Sequence, residues 1–351
     1  MSTQITFTDV PENTDLQDYA AQLDQKQYEE ENEKMKEEQQ KLDEMTAKSN
    51  GGTEQMYRGL QQRLDPELWE KFQIICSRVR YVDPDKKNIL WLHDLPHDPE
   101  SQHLKDPGSK GRFEKLVFVS NWQMLMYNMV HGVQYSESVV LQNAIEPVQI
   151  EEKDFDGKIN IIYHTTPHRG LSILVPVYEK LYEIFGDKIH LDVYSSFGLY
   201  GWDQRDEPFK QLFDKCEKHE GITYHGYQPH DVVVEALKKA HIFAYPSIWL
   251  ETSCISAIEA ASAMCTVVHP NFGALSETMS HFGVDYQYNE NDKEHANVFG
   301  GAMMATIEGY LDEKNHDRLK AGLKSQKAFF DTYYNWDRRA QQWTDFLKGL
   351  E

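Results

Sequence analysis

Short apolar runs of strand length alternate with helix-like stretches along most of this chain, and the alternation starts again after the acidic stretch at residues 151–157. Such alternation is typical of α/β domains, because a helix has to carry the chain back before the next parallel strand can begin. The 351 residues are enough for two domains of about 150 residues each. The sequence therefore predicts an α/β protein with two lobes that face a central cleft.

The strands predicted from these runs fall into two sets. In the first half they lie at residues 72–76, 88–93, 115–120 and 138–141. In the second half they lie at residues 159–164, 189–195, 223–226, 242–246 and 266–269. A helix is predicted at residues 253–263. Ligands of doubly wound sheets bind outside the carboxyl ends of the strands, so we expect the functional residues in the segments that follow these strands.

Residues 1–48 form an acidic extension that stands apart from this pattern. Residues 4–10 predict a short strand, and residues 16–48 are rich in Glu, Gln and Lys with apolar residues at loosely helical spacing. This predicts one long, charged, mainly solvated helix. Two kinds of role are open for it: a surface decoration or an arm that docks a protein partner, or a coiled coil that joins two copies of the chain, for which the heptad register is imperfect.

Two domains and a final helix are predicted after the extension. The domains span residues 49–150 and 151–330, and residues 331–351 predict a helix that crosses back to the N-terminal domain. Trp336 and Trp343 are seven residues apart, which places them on one face of that helix.

Composition narrows the class of partner. The chain has 36 Lys and Arg residues against 57 Asp and Glu residues, a formal net charge of -21, which repels nucleic acid and anionic membranes at long range. The chain has no apolar run of 18 or more residues, and its N-terminus lacks the basic start and apolar stretch of a signal peptide. We therefore expect a cytoplasmic protein without a transmembrane segment, and a nucleic-acid partner is disfavoured.

No metal site is predicted. The four cysteines (Cys76, Cys216, Cys254 and Cys265) lack the paired spacing of a zinc site or a disulfide framework, which indicates reduced thiols. Two Asp-x-Asp matches occur, at residues 83–85 and 154–156, about as many as chance gives in a chain this rich in aspartate.

The most informative stretch follows the predicted strand at residues 242–246. Glu251 stands just before a helix whose first residues are small and polar, so that backbone N–H groups are free to bind an anion such as a diphosphate. Glu259 follows eight residues later, about 12 Å away at the helical rise. The two carboxylates of a glycosidase lie roughly 5–9.5 Å apart. This pair therefore fits a clamp on hydroxyls at both ends of a bound diphosphate better than it fits a hydrolytic pair.

Glu251 and Glu259, with seven residues between them, resemble the Glu-x7-Glu signature of retaining GT-B glycosyltransferases. Together with residues 266–277, the stretch resembles glycosyltransferase family 4, the glycosyl transferases group 1. The resemblance extends from residue 51 to about residue 346 and is most specific over residues 223–277. It implies a GT-B fold: two Rossmann-like, doubly wound domains facing a central cleft, the N-terminal one for the acceptor and the C-terminal one for a nucleotide-sugar.

The resemblance also implies roles for individual residues. Glu251 would contact the transferred sugar near its reacting carbon, and Glu259 would bind the ribose hydroxyls. Arg169 falls where the family has a Lys-Gly pair and would bridge the diphosphate, either alone or with His168. His93 would face the transferred sugar. Catalysis is thus assigned to Glu251, His93 and Arg169. The further donor-binding residues implied are Gly51, Gly52, His168, Tyr227, Ser253, Cys254, Ile255 and Glu259.

The implied reaction moves a sugar from a UDP- or GDP-linked donor to a hydroxyl of a glycan, a lipid or another acceptor, with retention and without a metal or a cofactor. Three alternatives are weighed against it. The chain could be a non-catalytic nucleotide-sugar-binding or scaffold protein, or a DNA-modifying glucosyltransferase, which the net charge disfavours. It could also be a phosphorylase or nucleotide-sugar epimerase of similar architecture, which would act without an added acceptor.

Overall fold

The computed structural model describes residues 29–42, 44, 51–155 and 157–351. The predicted strand at residues 4–10 and the first part of the predicted helix at residues 16–48 lie outside these ranges. Residues 29–42 are α-helical (α1), and this helix docks on the N-terminal domain of its own chain. The Gln39 side-chain oxygen accepts hydrogen bonds from the backbone N–H groups of Arg80 at 2.9 Å and Tyr81 at 3.3 Å. The predictions of a protein partner or a dimer through this helix remain predictions.

The N-terminal domain is built on a parallel sheet of four described strands in the order β1-β2-β3-β4. Side chains alternate between its two faces, as expected for strands buried on both sides. Ile74, Ile89 and Trp91 share one core, and Leu90 and Phe118 belong to the other. The elements are α2 (Gly52–Gln61), α3 (Pro66–Glu70), β1 (Phe72–Cys76), β2 (Lys87–Leu92), α4 (Pro107–Lys110), β3 (Lys115–Phe118), α5 (Asn121–His131) and β4 (Ser138–Val140).

The C-terminal domain has a doubly wound parallel sheet of six described strands in the order β10-β9-β8-β5-β6-β7, so the winding reverses between β5 and β8. The elements are β5 (Ile159–Tyr163), α6 (Leu171–Phe185), β6 (Ile189–Val193), α7 (Lys210–Lys218), β7 (Ile222–Tyr224), α8 (His230–Lys239), β8 (Ile242–Ala244), α9 (Ile255–Ser262), β9 (Thr266–Pro270), α10 (Leu275–Met279), β10 (Val284–Tyr286), α11 (Asp292–Leu311) and α12 (His316–Tyr333). The two parallel sheets with flanking helices confirm the predicted α/β class.

The last helix, α13 (Trp336–Lys348), packs against α2 and α3 of the N-terminal domain. Trp336 and Trp343 are both buried on its inner face. The ring of Trp343 meets that of Trp91 edge to face at a centroid distance of 4.8 Å. The last helix thus packs on the N-terminal domain. None of the helices in the described ranges is long and apolar enough to span a membrane.

The start of α9 corrects one prediction. The helix was predicted to begin at residue 253, but it begins at Ile255, with Cys254 at the N-cap. Thr252 is held instead by the N-terminal domain: its hydroxyl donates to the His93 carbonyl at 2.8 Å, and its carbonyl accepts from the Ser120 hydroxyl at 2.6 Å. The helical rise therefore does not apply between residues 251 and 255, and the distance of about 12 Å between the two glutamates does not follow from it.

Candidate active site

The candidate site is a cleft of about 1470 Å³ between the two domains, at the carboxyl ends of β5 and β8. This is the reversal point of the C-terminal sheet, where ligands of doubly wound folds bind. The loops after the two strands are pressed together there. A Cβ atom on Gly170, whose φ is +137°, would lie 2.2 Å from the Pro246 carbonyl oxygen. The Arg169 carbonyl accepts from the Ile248 N–H at 3.2 Å. Only glycine fits at position 170 without moving this contact.

Glu251 lies at the centre of this crevice and is only 4% exposed. Its Oε1 accepts hydrogen bonds from Arg169 Nη1 and from the Tyr245 hydroxyl. Within the described chain its Oε2 accepts none, so this oxygen can receive a hydrogen bond from a ligand. The backbone of Glu251 is held by residues 273–274. The Ala274 N–H donates to the Glu251 carbonyl at 2.8 Å, and Gly273 lies so close to the Glu251 backbone that a side chain at position 273 would not fit.

The two groups that donate hydrogen bonds to Glu251, Arg169 and Tyr245, each keep one protonation state near neutral pH. Burial by itself lowers the pKa of the Arg169 guanidinium, but the adjacent Glu251 carboxylate more than offsets this and holds the pKa well above its ordinary value. Burial, reinforced by the Glu251 charge, raises the pKa of the Tyr245 phenol well above its ordinary value. Arg169 therefore stays cationic and Tyr245 stays a hydrogen-bond donor across the physiological pH range.

Glu259, on α9, forms the second acidic point of the site. Its Oε1 lies 2.6 Å from Nε2 of His230, the first residue of α8. The hydrogen bond to Glu259 and the charge of that carboxylate raise the pKa of His230. The Glu259 side chain is 11% exposed and that of His230 is 53% exposed, so the pair presents polar atoms to the cleft. Sequence reasoning missed His230, because a single histidine at a helix start carries no pattern.

Three histidines at the cleft are neutral and carry ring nitrogens that are not paired within the described chain. Burial lowers the pKa of His93 to about 3, that of His164 to about 4 and that of His168 to about 4. The unpaired atoms are Nε2 of His93, Nε2 of His164 and Nδ1 of His168. Buried polar atoms in native proteins nearly always have partners. Three such nitrogens belong to residues of the cleft lining.

The predicted site residues come together in this cleft with one exception. Its lining includes Gly52, His93, His168, Arg169, Tyr227, Glu251, Ser253, Cys254, Ile255 and Glu259. Gly51 is not part of this lining and is buried beside Glu54 and Tyr200, whose side chains a Cβ atom would approach within 2.3 Å and 2.5 Å. Cys254 is only 4% exposed, and burial raises the pKa of its thiol. The prediction of Gly51 as a donor contact remains a prediction.

Residues that sequence reasoning missed come from two loops of the C-terminal domain. Tyr200, Trp202 and Arg205 lie between β6 and α7, and Trp249 lies between β8 and α9. The available signal was composition, since each loop carries large aromatic residues where a short polar turn would suffice. In the described part of the chain, no group of three or more His, Cys, Asp or Glu side chains is arranged to hold a metal ion.

Comparison with known proteins agrees with this geometry. Residues 151–297 match the family model described as Glycosyl transferases group 1. No curated protein sequence matches the chain. Among solved structures, a glycosyltransferase from Rickettsia africae is 13% identical with a TM-score of 0.61 and covers 83% of this chain and 80% of its own.

Two further solved structures share the fold. HepE from Anabaena, solved in complex with UDP and glucose, is 13% identical with a TM-score of 0.59, over 75% of this chain and 72% of its own. Sucrose-phosphate synthase from Thermosynechococcus elongatus is 15% identical with a TM-score of 0.57, over 76% of this chain and 68% of its own. The chain therefore shares the GT-B fold of these glycosyltransferases, and its residues 151–297 match the family model of the glycosyl transferases group 1.

Proposed function

We propose that this protein transfers a sugar from a nucleoside-diphosphate sugar to an acceptor hydroxyl with retention of the anomeric configuration and without a metal ion or a further cofactor. One observation carries the proposal: Glu251 and Glu259 stand on either side of the N-terminus of α9 in the interdomain cleft, with Arg169 bonded to Glu251. The acceptor, a glycan, a lipid or another hydroxyl compound, would enter from the side of the N-terminal domain.

The arrangement matches the two ends of such a donor. A diphosphate at the N-terminus of α9 meets backbone N–H groups and the positive end of the helix dipole. Glu259 with His230 offers paired polar atoms for the ribose hydroxyls, and Glu251 Oε2 can accept a hydrogen bond from a hydroxyl of the transferred sugar. Neutral His93, on the opposite wall, can donate to or accept from the same sugar.

The protein contributes orientation and charge stabilisation to the reaction. Negative charge grows on the departing diphosphate as the bond to the sugar breaks, and Arg169 together with the α9 N-terminus stabilises that charge. Contacts between the domains beside the site, such as Thr252 with the His93 carbonyl at 2.8 Å, limit the entry of water. Hydrolysis of the donor is thereby disfavoured against transfer.

A UDP-sugar is the first donor to test, because HepE, TarM from S. aureus and the pneumococcal O-GlcNAc transferase GtfA, which share this fold, were solved with UDP. A GDP-sugar is the second. Tyr227, 40% exposed in the cleft lining, is the aromatic side chain we assign to the base pocket.

The experiment is a transfer assay on two site variants and two matched control variants. Glu251→Ala and Arg169→Ala should lower kcat/KM by at least about 100-fold, the usual cost of a lost charge-stabilising group. Glu308→Ala and Arg318→Ala remove the same charges from exposed positions on α11 and α12 and should retain wild-type activity. Activity should persist in EDTA, and NMR of the product should show the donor's anomeric configuration.

Three results would contradict the proposal. Near wild-type transfer by Glu251→Ala or Arg169→Ala would remove the site assignment. Nucleotide binding without any turnover, across a panel of donors and acceptors, would favour a scaffold role. Inversion at the anomeric carbon would refute the retaining mechanism.

A further inference from the structure

We propose that Arg205 is a second cation of the diphosphate subsite in this protein and compensates for the neutralisation of Arg169 by Glu251. The inference rests on the proposed function, since it assigns a residue to the donor that this function requires. Nothing in the sequence pattern singles out Arg205, which lies in the long connection between β6 and α7.

The charges at the cleft motivate the inference. Arg169 and Arg205 are the arginines that the C-terminal domain contributes to the described cleft lining, and this domain contributes no lysine to it. Arg169 is bonded to the Glu251 carboxylate, so the two charges largely cancel. His168, the neighbouring candidate for a second cation, is neutral because burial lowers its pKa to about 4. A diphosphate bound there would meet Arg169 only as one half of an ion pair, and Arg205 is the other arginine that this domain brings to the lining.

The position of Arg205 suits this role. Its guanidinium lies over the ring of Trp202 at 4.9 Å and over that of Phe197 at 5.4 Å. Phe197 in turn stacks on His168 at a centroid distance of 5.1 Å and an interplanar angle of 15°. Phe197 thus connects Arg205 with the loop that carries Arg169. Arg205 makes no ion pair within the described chain, so its donors remain available for a phosphate.

The loop that carries Arg205 is ordered by its own hydrogen bonds. Asp206 accepts from the Phe197 N–H at 2.9 Å and from the Ser196 hydroxyl. The Arg205 N–H donates to the Trp202 carbonyl at 2.8 Å. The backbone on both sides of the guanidinium is therefore fixed, while the side chain itself is solvent-exposed. The guanidinium is thus carried on a fixed backbone and is open to the cleft.

The test compares the affinity for UDP and GDP, measured by isothermal titration, in the wild type and three variants. Arg205→Ala should raise the Kd of whichever nucleotide binds by roughly tenfold, the loss of one charge-assisted contact. Arg205→Lys should recover part of this, because it keeps the charge but loses the fork geometry. Lys210→Ala is the matched control: Lys210 begins α7, pairs with Glu207 and does not line the cleft. The nucleotide Kd of Lys210→Ala should equal that of the wild type.

Inorganic pyrophosphate, used as a competitor, separates a phosphate contact from a base contact. If Arg205 binds the diphosphate, Arg205→Ala raises the inhibitory concentration of pyrophosphate by the same factor as the nucleotide Kd. A higher nucleotide Kd with unchanged inhibition by pyrophosphate would overturn the inference and place Arg205 at the base. Unchanged nucleotide affinity in Arg205→Ala would overturn it as well, with the proposed function intact. Failure of the wild type to bind either nucleotide would overturn the proposed function, and this inference with it.

Discussion

Replacing Gly170 by alanine tests whether the two loops of the crevice are as tightly joined as the structure shows. The residue adopts a φ of +137°, a region that L side chains rarely occupy, at a cost of about 1–3 kcal/mol. The added Cβ would also lie 2.2 Å from the Pro246 carbonyl oxygen and 2.8 Å from its carbon. These are backbone atoms, so relief requires the loop to move, and overpacking of this kind costs about 1–3 kcal/mol. We expect Gly170→Ala to lower the free energy of unfolding by about 3 kcal/mol.

Urea unfolding of Gly170→Ala against Gly301→Ala measures this effect with an internal control. Gly301 lies inside α11, and a Cβ atom there would meet no other atom within 4 Å. Alanine in a helix interior is favoured over glycine by about 0.5–1 kcal/mol, so Gly301→Ala should be neutral or stabilising. Of the two substitutions, only Gly170→Ala should therefore lower the free energy of unfolding. A free energy of unfolding for Gly170→Ala within about 0.5 kcal/mol of the wild type would refute the reasoning.

Two further predictions concern stability. Burial lowers the pKa of His93 to about 3 from an ordinary value of 6.5, so between these values the unfolded chain binds a proton that the folded chain does not. The free energy of unfolding should therefore fall as the pH is lowered from 7 to 5, and should fall less in His93→Asn; an equal loss in both proteins would contradict this. Trp343→Ala should lower the free energy of unfolding by about 3–5 kcal/mol, since the ring of Trp343 is fully buried against Trp91. Trp249→Ala, at a side chain 43% exposed, should change it by less than about 1 kcal/mol; similar losses for the two tryptophans would argue against the packing described.

The fold was largely predictable because its strands are short, apolar and bounded by turns. β1 was predicted to the residue, and β9 was predicted one residue short, at its carboxyl end. β10 (Val284–Tyr286) was missed. It has only three residues, the middle one is Asp285, and it lies at the edge of the sheet, where one polar residue can face solvent.

The site was predictable as a set of residues but not as a set of contacts. Arg169 and Glu251 are 82 positions apart in sequence, and they meet because β5 and β8 are neighbours in the sheet. Motif spacing carries no information about that neighbourhood. The helix start at Ile255 was missed for a similar reason, since Thr252 is held outside the helix by hydrogen bonds to the other domain.

The pairing of Arg169 with Glu251 makes the central claim testable by binding alone. If the sugar end of the donor lies at Glu251 and the ribose end at Glu259, the two glutamates should affect a nucleoside diphosphate without a sugar in opposite ways. Removing the Glu251 charge frees Arg169 for the phosphates, whereas removing Glu259 takes away the ribose contact.

The measurement is the Kd of UDP, or of GDP if that is the nucleotide bound, in Glu251→Gln and Glu259→Ala. The account predicts that Glu251→Gln binds the nucleotide as tightly as the wild type or more tightly and yet transfers no sugar. It predicts that Glu259→Ala binds roughly tenfold more weakly, the loss of one charge-assisted hydrogen-bonding group. Weaker nucleotide binding in Glu251→Gln, together with wild-type binding in Glu259→Ala, would contradict the placement of the donor.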